Sequence, residues 1–186
     1  MKKMPCLFKR NFGPGQNPVY NEVTKGCEWV VNGEGYATRK YDGTCCLYKK
    51  GQLFKRYTLK PGKIAPDNFI PTTEIDPITE KQFGWLPLGP FDYFHKEALE
   101  TLKSGIAKIK EGTYELCGPK INGNKEGFLS HVLVKHGECI YHDAPRTFNK
   151  LREYFKDKDI EGLVFYHRDG RRAKIRKVDF MLKRKP

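Results

Sequence analysis

Hydrophobic, β-forming residues in the first third of the chain are gathered into short runs that polar and glycine-containing turns separate. Tyr36–Lys40 and Thr44–Tyr48 are two such runs, and a third, Gln52–Leu59, follows a turn at Lys50–Gly51. Runs of this length bounded by turn residues are typical of strands and hairpins. The pattern predicts that Glu28–Leu59 forms a sheet of short strands that ends in a hairpin.

Two later segments have the hydrophobic spacing of helices. Phe91–Lys103 places Phe94, Ala98 and Leu102 on one face and is followed by Gly105, a residue type that commonly ends a helix. Thr147–Phe155 begins at a threonine suited to the N-cap, and its buried stripe is expected from Phe148, Leu151, Tyr154 and Phe155.

Further strands are predicted between and after these helices. They are Thr113–Leu116, His131–Lys135 and a hairpin of Gly162–Tyr166 with Arg172–Lys177 across Arg168–Gly170. Strands that can pair as antiparallel neighbours therefore outnumber helices along the chain. This order predicts an α+β domain dominated by antiparallel sheet, with the 186 residues forming one domain.

Two segments lack a regular pattern. Residues 1–26 contain Gly-Pro-Gly and Asn-Pro sequences and are predicted to be an irregular entry arm. Residues 61–90 carry six prolines and no periodicity. Because long loops in compact domains commonly serve as lids or binding loops, this proline-rich stretch is interpreted as a loop or lid, with an irregular surface loop as the alternative.

The composition favours a polyanion as the binding partner. Thirty-five basic residues against 22 acidic ones leave a formal net charge of +13 and a pI near 9.4. Such a surplus favours nucleic acid first and an acidic membrane surface second. Hydrophobic residues make up 38% of the chain, which is enough for a real core and argues against global disorder.

The six cysteines favour a reducing compartment. They include no Cys-x-x-Cys pair, and Cys45 and Cys46 are neighbours whose side chains point to opposite faces of a strand. Buried, reduced thiols are therefore expected in place of disulfides or a zinc site. Because neither a signal peptide nor a membrane-spanning run is evident, a cytoplasmic, monomeric protein is predicted.

Four short segments carry residues suited to one kind of chemistry. They are Thr-Arg-Lys-Tyr-Asp-Gly at 38–43, Tyr-Glu-Leu-Cys-Gly-Pro at 114–119, Glu-Gly-Leu-Val-Phe at 161–165 and Ala-Lys-Ile-Arg-Lys at 173–177. Lys40 lies between two predicted strands, and Gly43 allows a close approach of backbone there. A lysine in this position can serve as a covalent nucleophile. Taken alone, such a segment is more often an ordinary turn or an exposed strand, and it is the ordered set that favours this chemistry.

In order and rough spacing these segments resemble motifs I, III, IV and V of the covalent nucleotidyltransferases, the superfamily of polynucleotide ligases and messenger-RNA capping enzymes. Leu53–Tyr57 resembles the basic strand known as motif Ia. The chain is most similar to small RNA ligases of the vertebrate 5′–3′ RNA ligase family, through Gly-Glu-Gly at 33–35 and the sequence from Tyr114 to Asn124. The resemblance implies the adenylation domain of ligases, with two sheets flanked by helices. No oligonucleotide-binding domain is expected, since nine residues follow Lys177.

The residue types fit that chemistry. An attacking amine must be neutral, and neighbouring positive charge penalises the protonated form of Lys40. The same cations can neutralise a triphosphate. Glu115 and Glu161 offer hard oxygens for Mg²⁺ or Mn²⁺. The residues expected to provide positive charge near Lys40 are Arg39, Lys55, Arg56, Lys174 and Arg176.

The resemblance adds further roles. Glu115 would hold the ribose of ATP, while Asp42 would lie beside the nucleophile. Leu163 or Val164 would cover one face of the adenine, with Leu163 preferred. His131 or Leu133 would cover the other face.

One position departs from the family pattern, because motif V commonly offers two lysines and the second position here is Arg176. Arginine keeps the positive charge and adds bidentate phosphate binding. The other histidines lack ligand-like spacing with one another or with the cysteines. His95, His136, His142 and His167 are therefore interpreted as structural or surface groups.

Together these features predict an ATP-dependent RNA ligase that forms lysyl-AMP at Lys40, transfers AMP to a 5′-phosphate end of RNA and seals it to a 3′-hydroxyl. The alternatives are a GTP-using capping-type enzyme and a catalytically inactive RNA-binding protein. RNA contacts are expected from three basic surfaces, which are the entry arm (Lys2, Lys3, Lys9, Arg10), Lys49–Lys50, and Arg171–Arg172 with Lys183–Lys185.

Overall fold

A computed structural model of the chain describes residues 4–11, 13, 18–105 and 108–184. Two compact units are present, and each has its own hydrophobic core. The large-sheet unit contains Asp42–His136, and the small-sheet unit contains Met4–Tyr41 together with the chain from Gly137 onward. The chain therefore passes from one unit to the other between Tyr41 and Asp42, in the middle of the Lys-Tyr-Asp-Gly sequence.

The described residues form eleven strands and three α-helices. In chain order these are β1 (Phe8–Arg10), β2 (Val19–Val23), α1 (Glu28–Val31), β3 (Tyr36–Lys40), β4 (Thr44–Lys49), β5 (Gln52–Leu59), β6 (Ile70–Pro71), β7 (Gln82–Pro87), α2 (Tyr93–Gly105), β8 (Gly112–Cys117), β9 (Val132–Lys135), α3 (Phe148–Asp157), β10 (Gly162–Tyr166) and β11 (Arg172–Arg176). Short 3₁₀ turns occupy Asn122–Asn124 and Lys177–Phe180.

The small-sheet unit is built on an antiparallel sheet of three strands in the order β11-β10-β3. One face of this sheet is apolar, with Leu163 and Phe165 in its central strand fully buried. Leu151 and Phe155 of α3 belong to the same core cluster, as do Trp29 and Val30 of α1. Because side chains alternate along a strand, the opposite face of the sheet carries a different set of residues.

The large-sheet unit is built on six antiparallel strands in the order β6-β7-β5-β4-β8-β9. Helix α2 covers one face, where Ala98 packs with Cys46, Tyr114, Leu116 and Leu133. Ala98 is fully buried, and its small side chain allows the helix to approach the sheet closely. The hairpin of β4 and β5 turns at Lys50 and Gly51, which both have positive φ, as a tight two-residue turn requires.

Most of the predicted elements are confirmed, including both long helices and the final hairpin. Three expectations need correction. The segment 1–26 is not wholly irregular, because β1 and β2 pair there and bury Phe8 and Val19 in the core. Glu28–Leu59 is not one sheet, since Glu28–Val31 is helical and β3 and β4 belong to different sheets. The described residues contain three sheets, one of them this two-stranded pair, where two were expected.

The proline-rich stretch 61–90 also contains regular structure. Strand β7 pairs with β5 over six residue positions, from Gln82 opposite Leu59 to Pro87 opposite Phe54. The short β6 adds to the outer side of β7. A proline is tolerated at such strand ends and edges because its missing N–H is not needed there. The predicted N-cap, Thr147, lies at the start of α3, but its hydroxyl makes no capping hydrogen bond.

All six cysteines are free thiols, and four of them are buried. Cys46 lies in the core and Cys45 on the other side of the strand, as the sequence predicts. No described helix combines the length and hydrophobicity needed to cross a bilayer.

Candidate functional site

Lys40 ends β3, and the register of the small sheet determines which residues share its face. Gly162 of β10 lies between Lys40 and Arg176, and Val164 lies between Thr38 and Lys174. Residues directly opposite one another in antiparallel strands point to the same face. The three cations Lys40, Lys174 and Arg176 therefore lie on the face of the sheet opposite the apolar core.

A glycine at the centre of this face is required by packing. A Cβ on Gly162 would lie 2.2 Å from the carbonyl oxygen of Ile175 and 2.8 Å from the Cα of Arg176. No side chain can therefore stand between Lys40 and Arg176. This explains the glycine in the Glu-Gly-Leu-Val-Phe segment in structural terms.

Glu161 supplies the negative charge of this face. Its Oε2 lies 2.5 Å from the Lys40 Nζ, and the two side chains are only 17% and 22% exposed. Burial, followed by the positive charges of Lys40 and Arg176, lowers the pKa of Lys174, while Glu161 acts in the opposite direction. Positive charges therefore outnumber the Glu161 carboxylate on this face, and such an excess of positive charge favours a polyanionic ligand.

Arg176 is held in place by a buried aspartate that the sequence analysis did not identify. The Arg176 side chain donates a 2.9 Å hydrogen bond to Asp179, whose side chain is fully buried in the 3₁₀ turn after β11. Arg10 lies 3.3 Å from the same carboxylate. Since a buried charge needs partners, Asp179 fixes both arginines.

Two predicted site residues lie on the other face of the small sheet. Leu163 is fully buried in the core cluster, opposite Ile175. Val164, which is 7% exposed, is the residue of this pair that lies on the face of Lys40. Arg39 is paired with Leu163 and so points away from Lys40, with its guanidinium 5.0 Å from the ring of Tyr41.

In the large-sheet unit, Asp42 and Gly43 are hydrogen-bonded to a loop that is distant in sequence. Asn122 donates 3.0 Å hydrogen bonds to the Asp42 carboxylate and to the Gly43 carbonyl oxygen. The Asp42 amide donates to Glu126. A Cβ on Gly43 would lie 2.2 Å from the carbonyl oxygen of Leu116, so the predicted close approach of the backbone is present.

Glu115 lies on the face of the large sheet opposite α2, within a polar cluster. Cys45 is directly opposite Glu115, and the Nε2 of His136 lies 2.8 Å from Glu115 Oε2. The other ring nitrogen of His136 lies 3.0 Å from the hydroxyl of Thr113. The ligand atoms of Cys45, Glu115 and His136 all lie within 4.8 Å of one another. Sequence spacing alone missed His136, because only the strand register brings it to Glu115.

The two basic residues of the motif-Ia strand point to opposite faces. Lys55 is paired with Cys46, so it lies on the α2 side, where its Nζ is 2.7 and 2.8 Å from the two oxygens of Asp92. Arg56 alternates onto the face of Glu115, and its guanidinium lies 4.8 Å from the centre of the Phe83 ring. Of this pair, the structure places only Arg56 on the polar face.

The two glutamates predicted to bind a metal differ in their surroundings. Glu161 faces nitrogen donors that carry positive charge, and its oxygens fit a hard cation such as Mg²⁺ that would replace the Lys40 ammonium. Glu115 lies beside a thiol and an imidazole, and the imidazole in turn contacts the Thr113 hydroxyl. This second donor set is mixed, and carboxylate oxygen is only one of its components.

The other residues considered for base stacking are engaged in packing. His131 is buried, stacks on Phe94 with ring centres 4.4 Å apart and lies 2.8 Å from Glu97. Leu133 belongs to the core beneath α2.

The basic residues proposed for RNA contact are in several cases already paired. Lys9 pairs with Glu22, and Arg184 lies 3.5 Å from Asp159. Arg172 covers the Tyr166 ring at 5.0 Å. Lys49 and Lys50 are exposed, while Lys2, Lys3 and Lys185 lie outside the described residues.

Comparison with known proteins points in one direction. No protein-family model matches the chain. Among curated proteins, the chain is similar to RNA ligase 1 of Danio rerio, at 33% identity over 46% of this chain and 29% of that protein. It is also similar to RNA ligase 1 of Pongo abelii (30% identity) and of Mus musculus (28% identity), each over 61% of this chain and 47% of the relative.

The chain spans less than half the length of each of these relatives. The comparisons therefore support a distant relationship to RNA ligases.

Proposed function

We propose that this chain carries the adenylyl-transfer site of an ATP-dependent RNA ligase, with Lys40 as the nucleophile. The observation that carries the proposal is the face of the small sheet, where Lys40 pairs with Glu161 beside Lys174 and Arg176. An amine, a carboxylate and further cations on one rigid sheet are the groups needed to bind a triphosphate and attack it. The distant similarity to proteins named RNA ligase 1 supports the same class.

In the first step, the Lys40 Nζ attacks the α-phosphorus of ATP. A nitrogen–phosphorus bond forms, the bond to the bridging oxygen breaks, and pyrophosphate leaves with that electron pair. The proton lost from Nζ passes to solvent, since the side chain is 22% exposed. When bound at the Glu161 carboxylate, Mg²⁺ would offset triphosphate charge and compete with the Lys40 ammonium for the same oxygens, which favours the neutral amine.

The remaining predicted residues have supporting roles in this proposal. Lys174 and Arg176 bind phosphate oxygens, and Val164 contacts the nucleotide in place of Leu163. Glu115 holds the ribose, with Asp42 and Arg56 as further nucleotide-binding groups. In this proposal Arg39, Lys55 and Leu163 have structural roles, because their side chains lie on the alternate faces of their sheets.

Two further transfers complete the proposed reaction. A 5′-phosphate oxygen of RNA attacks the phosphorus of lysyl-AMP, and Lys40 leaves as the amine. A 3′-hydroxyl oxygen then attacks the activated 5′-phosphate, so that a phosphodiester forms and AMP leaves. The net charge of +13 supports RNA as the polyanion.

The test is incubation with α-labelled ATP and Mg²⁺, followed by denaturing electrophoresis. We expect covalent label on the wild type and none on Lys40→Ala or Lys40→Arg. The arginine variant keeps a positive charge beside Glu161, so it separates loss of the nucleophile from loss of the ion pair. Lys156→Ala, an exposed lysine on α3, is the matched control and should label normally. Label retained on Lys40→Arg would refute the assignment.

The same experiment separates the alternatives. A capping-type enzyme would take label from α-labelled GTP in place of ATP. An inactive RNA-binding protein would take none, and its RNA affinity would fall steeply with added salt. If labelling is observed, sealing of a 5′-phosphorylated RNA but not of the corresponding DNA would establish the substrate.

A further inference from the structure

The polar face of the large sheet contains a cluster in which only Glu115 has a role in the proposed ligase chemistry. Cys45, Glu115 and His136 come from β4, β8 and the residue after β9, which are three neighbouring strands. Cys45 and Glu115 are directly opposed, and Val134, two positions before His136, is paired with Glu115. With a period of two along each strand, all three functional side chains share one face.

The separations within this cluster suit a small cation. The three ligand atoms lie within 4.8 Å of one another. Ligands about 2.0–2.3 Å from a tetrahedral zinc ion are roughly 3.3–3.8 Å apart. The Nε2 to Oε2 distance of 2.8 Å is that of a hydrogen bond, so a metal would replace the shared proton and widen this pair by less than about 1 Å.

The hydrogen bonding of His136 is suited to the same role. Its Nδ1 lies 3.0 Å from the Thr113 hydroxyl, so Nδ1–H can donate there once a metal replaces the proton between Nε2 and Glu115, and the Nε2 lone pair is then directed at the metal. Outer hydrogen bonds of this kind fix the ring orientation of metal-binding histidines. The side chains of His136 and Glu115 are 21% and 12% exposed, so an ion can reach them from solvent.

Neighbouring Cys46 shows that the position of Cys45 is distinctive. Cys46 is fully buried in the core of the large-sheet unit, so an ion from solvent does not reach its thiol. Cys45, half-buried on the opposite face, is the thiol placed beside a carboxylate and an imidazole.

We propose that Cys45, Glu115 and His136 form a binding site for one zinc-like divalent cation. Sulfur and imidazole ligands select Zn²⁺, Co²⁺ and Cd²⁺ over Mg²⁺, and three protein ligands leave a fourth position open. Binding requires deprotonated ligands, so affinity rises with pH. One consequence rests on the proposed function: a metal bound here occupies Glu115, so it antagonises ATP labelling.

The direct test uses metal-free protein titrated with Co²⁺. A cobalt–thiolate bond produces an intense charge-transfer absorption that Mg²⁺ and water-bound cobalt lack. We expect this band at a stoichiometry of one, and its loss on addition of Zn²⁺. Cys45→Ser should abolish the band, and His136→Ala should weaken binding by at least about 100-fold, more than loss of a residue that only hydrogen-bonds to a ligand.

Matched variants test whether the Co²⁺ spectrum depends specifically on the proposed ligands. Cys139→Ser removes another half-buried thiol, from the small-sheet unit, and should leave the Co²⁺ spectrum unchanged. Thr113→Val should weaken binding by about 10- to 100-fold. Circular dichroism of each variant checks that the fold is retained. A wild-type spectrum without the thiolate band, or an unchanged band in Cys45→Ser, would overturn the proposal.

The labelling assay provides a second, separable readout. Micromolar Zn²⁺ should reduce ATP labelling of the wild type and leave Cys45→Ser labelled. Inhibition that persists in Cys45→Ser would refute antagonism through this site. Should the wild type fail to label at all, the ligase proposal fails, while the Co²⁺ titration still decides whether the metal site exists.

Discussion

The two sheets share one construction but present different chemical groups. In each, one face packs against a helix, α3 on the small sheet and α2 on the large one, and the other face carries polar groups. The small sheet presents Lys40, Lys174 and Arg176, with Glu161 paired to Lys40 and Asp179 paired to Arg176. The large sheet presents sulfur, imidazole and carboxylate at Cys45, His136 and Glu115. The first set favours phosphate and hard cations, whereas the second favours soft ones.

This difference shows that neighbouring residues of one strand lie on faces of the sheet with different chemical character. Leu163 lies in the core and Val164 on the charged face, although they are neighbours in sequence. Cys46 and Cys45 divide in the same way. The residues that carry chemistry are therefore defined by the face they occupy, and the comparison of the two faces can be tested by substitutions that affect one face alone.

The largest expected effect distinguishes the two faces by Mg²⁺-dependent ATP labelling on one and Co²⁺ binding on the other. Glu161→Gln should reduce Mg²⁺-dependent ATP labelling by about 10²- to 10³-fold, the usual cost of removing one preorganised charged group. It should leave Co²⁺ binding unchanged. Cys45→Ser should show the reverse pattern, with labelling preserved and Co²⁺ binding lost. Labelling rates and Co²⁺ titrations on the same preparations make the measurement.

The control for this pair is Glu153→Gln, which removes an exposed carboxylate on α3. It should alter neither readout. If Glu161→Gln and Cys45→Ser both diminished both activities, the two faces would not be chemically independent, and the comparison would fail.

A second expected effect contrasts the core and charged positions of β10. Leu163→Ala removes a fully buried side chain and should lower the free energy of unfolding by about 2–5 kcal/mol. Val164→Ala should cost about 1–2 kcal/mol but raise the ATP concentration needed for half-maximal labelling. Denaturant unfolding and labelling titrations measure the two quantities.

Ile175→Val offers a milder change in the same core, opposite Leu163, and should lower stability by about 0.5–1.5 kcal/mol. Its ATP dependence should remain that of the wild type. If only Leu163→Ala changed the ATP dependence, under conditions where the variant is fully folded, Leu163 and not Val164 would be the residue that contacts the nucleotide.

A third expected effect concerns Lys55, whose partner Asp92 lies just before α2. Burial opposes ionisation of Asp92, but hydrogen bonds from Lys55 and the Gly89 amide outweigh it and lower the pKa of Asp92. Because the folded-state pKa is depressed, this stabilisation is present above the unfolded value near about 3.9 and is lost as the pH falls through the folded value. Asp92→Asn should cost about 1.5–3 kcal/mol at pH 7.

The measurement is denaturant unfolding at several pH values. The difference between wild type and Asp92→Asn should stay constant from neutral pH downward and shrink below about pH 4. Asp67→Asn, at an exposed position, should show no such difference. A stable Asp92→Asn variant with impaired ATP labelling would instead favour Lys55 as a nucleotide-binding residue.

Much of this protein could be predicted from its sequence, because the signals are local. Turn residues at Lys50–Gly51 and Arg168–Gly170 define two hairpins that the structure contains. The spacing around Ala98 predicts α2. The positions of Lys40 and Glu161 in short motifs led to the residues that form the ion pair. By contrast, β1, β2 and β7 were missed, since proline and glycine obscure strands whose partners are distant in the chain.

What only the tertiary structure decided is the face each residue occupies. His136 reaches Glu115 and Cys45 through the register of three strands, and Asp179 reaches Arg10 across most of the chain. A shift of one residue in register would move every side chain of a strand to the opposite face. Local sequence determines that a strand forms, whereas pairing between distant segments, stabilised by burial of one face, determines which of its residues perform chemistry.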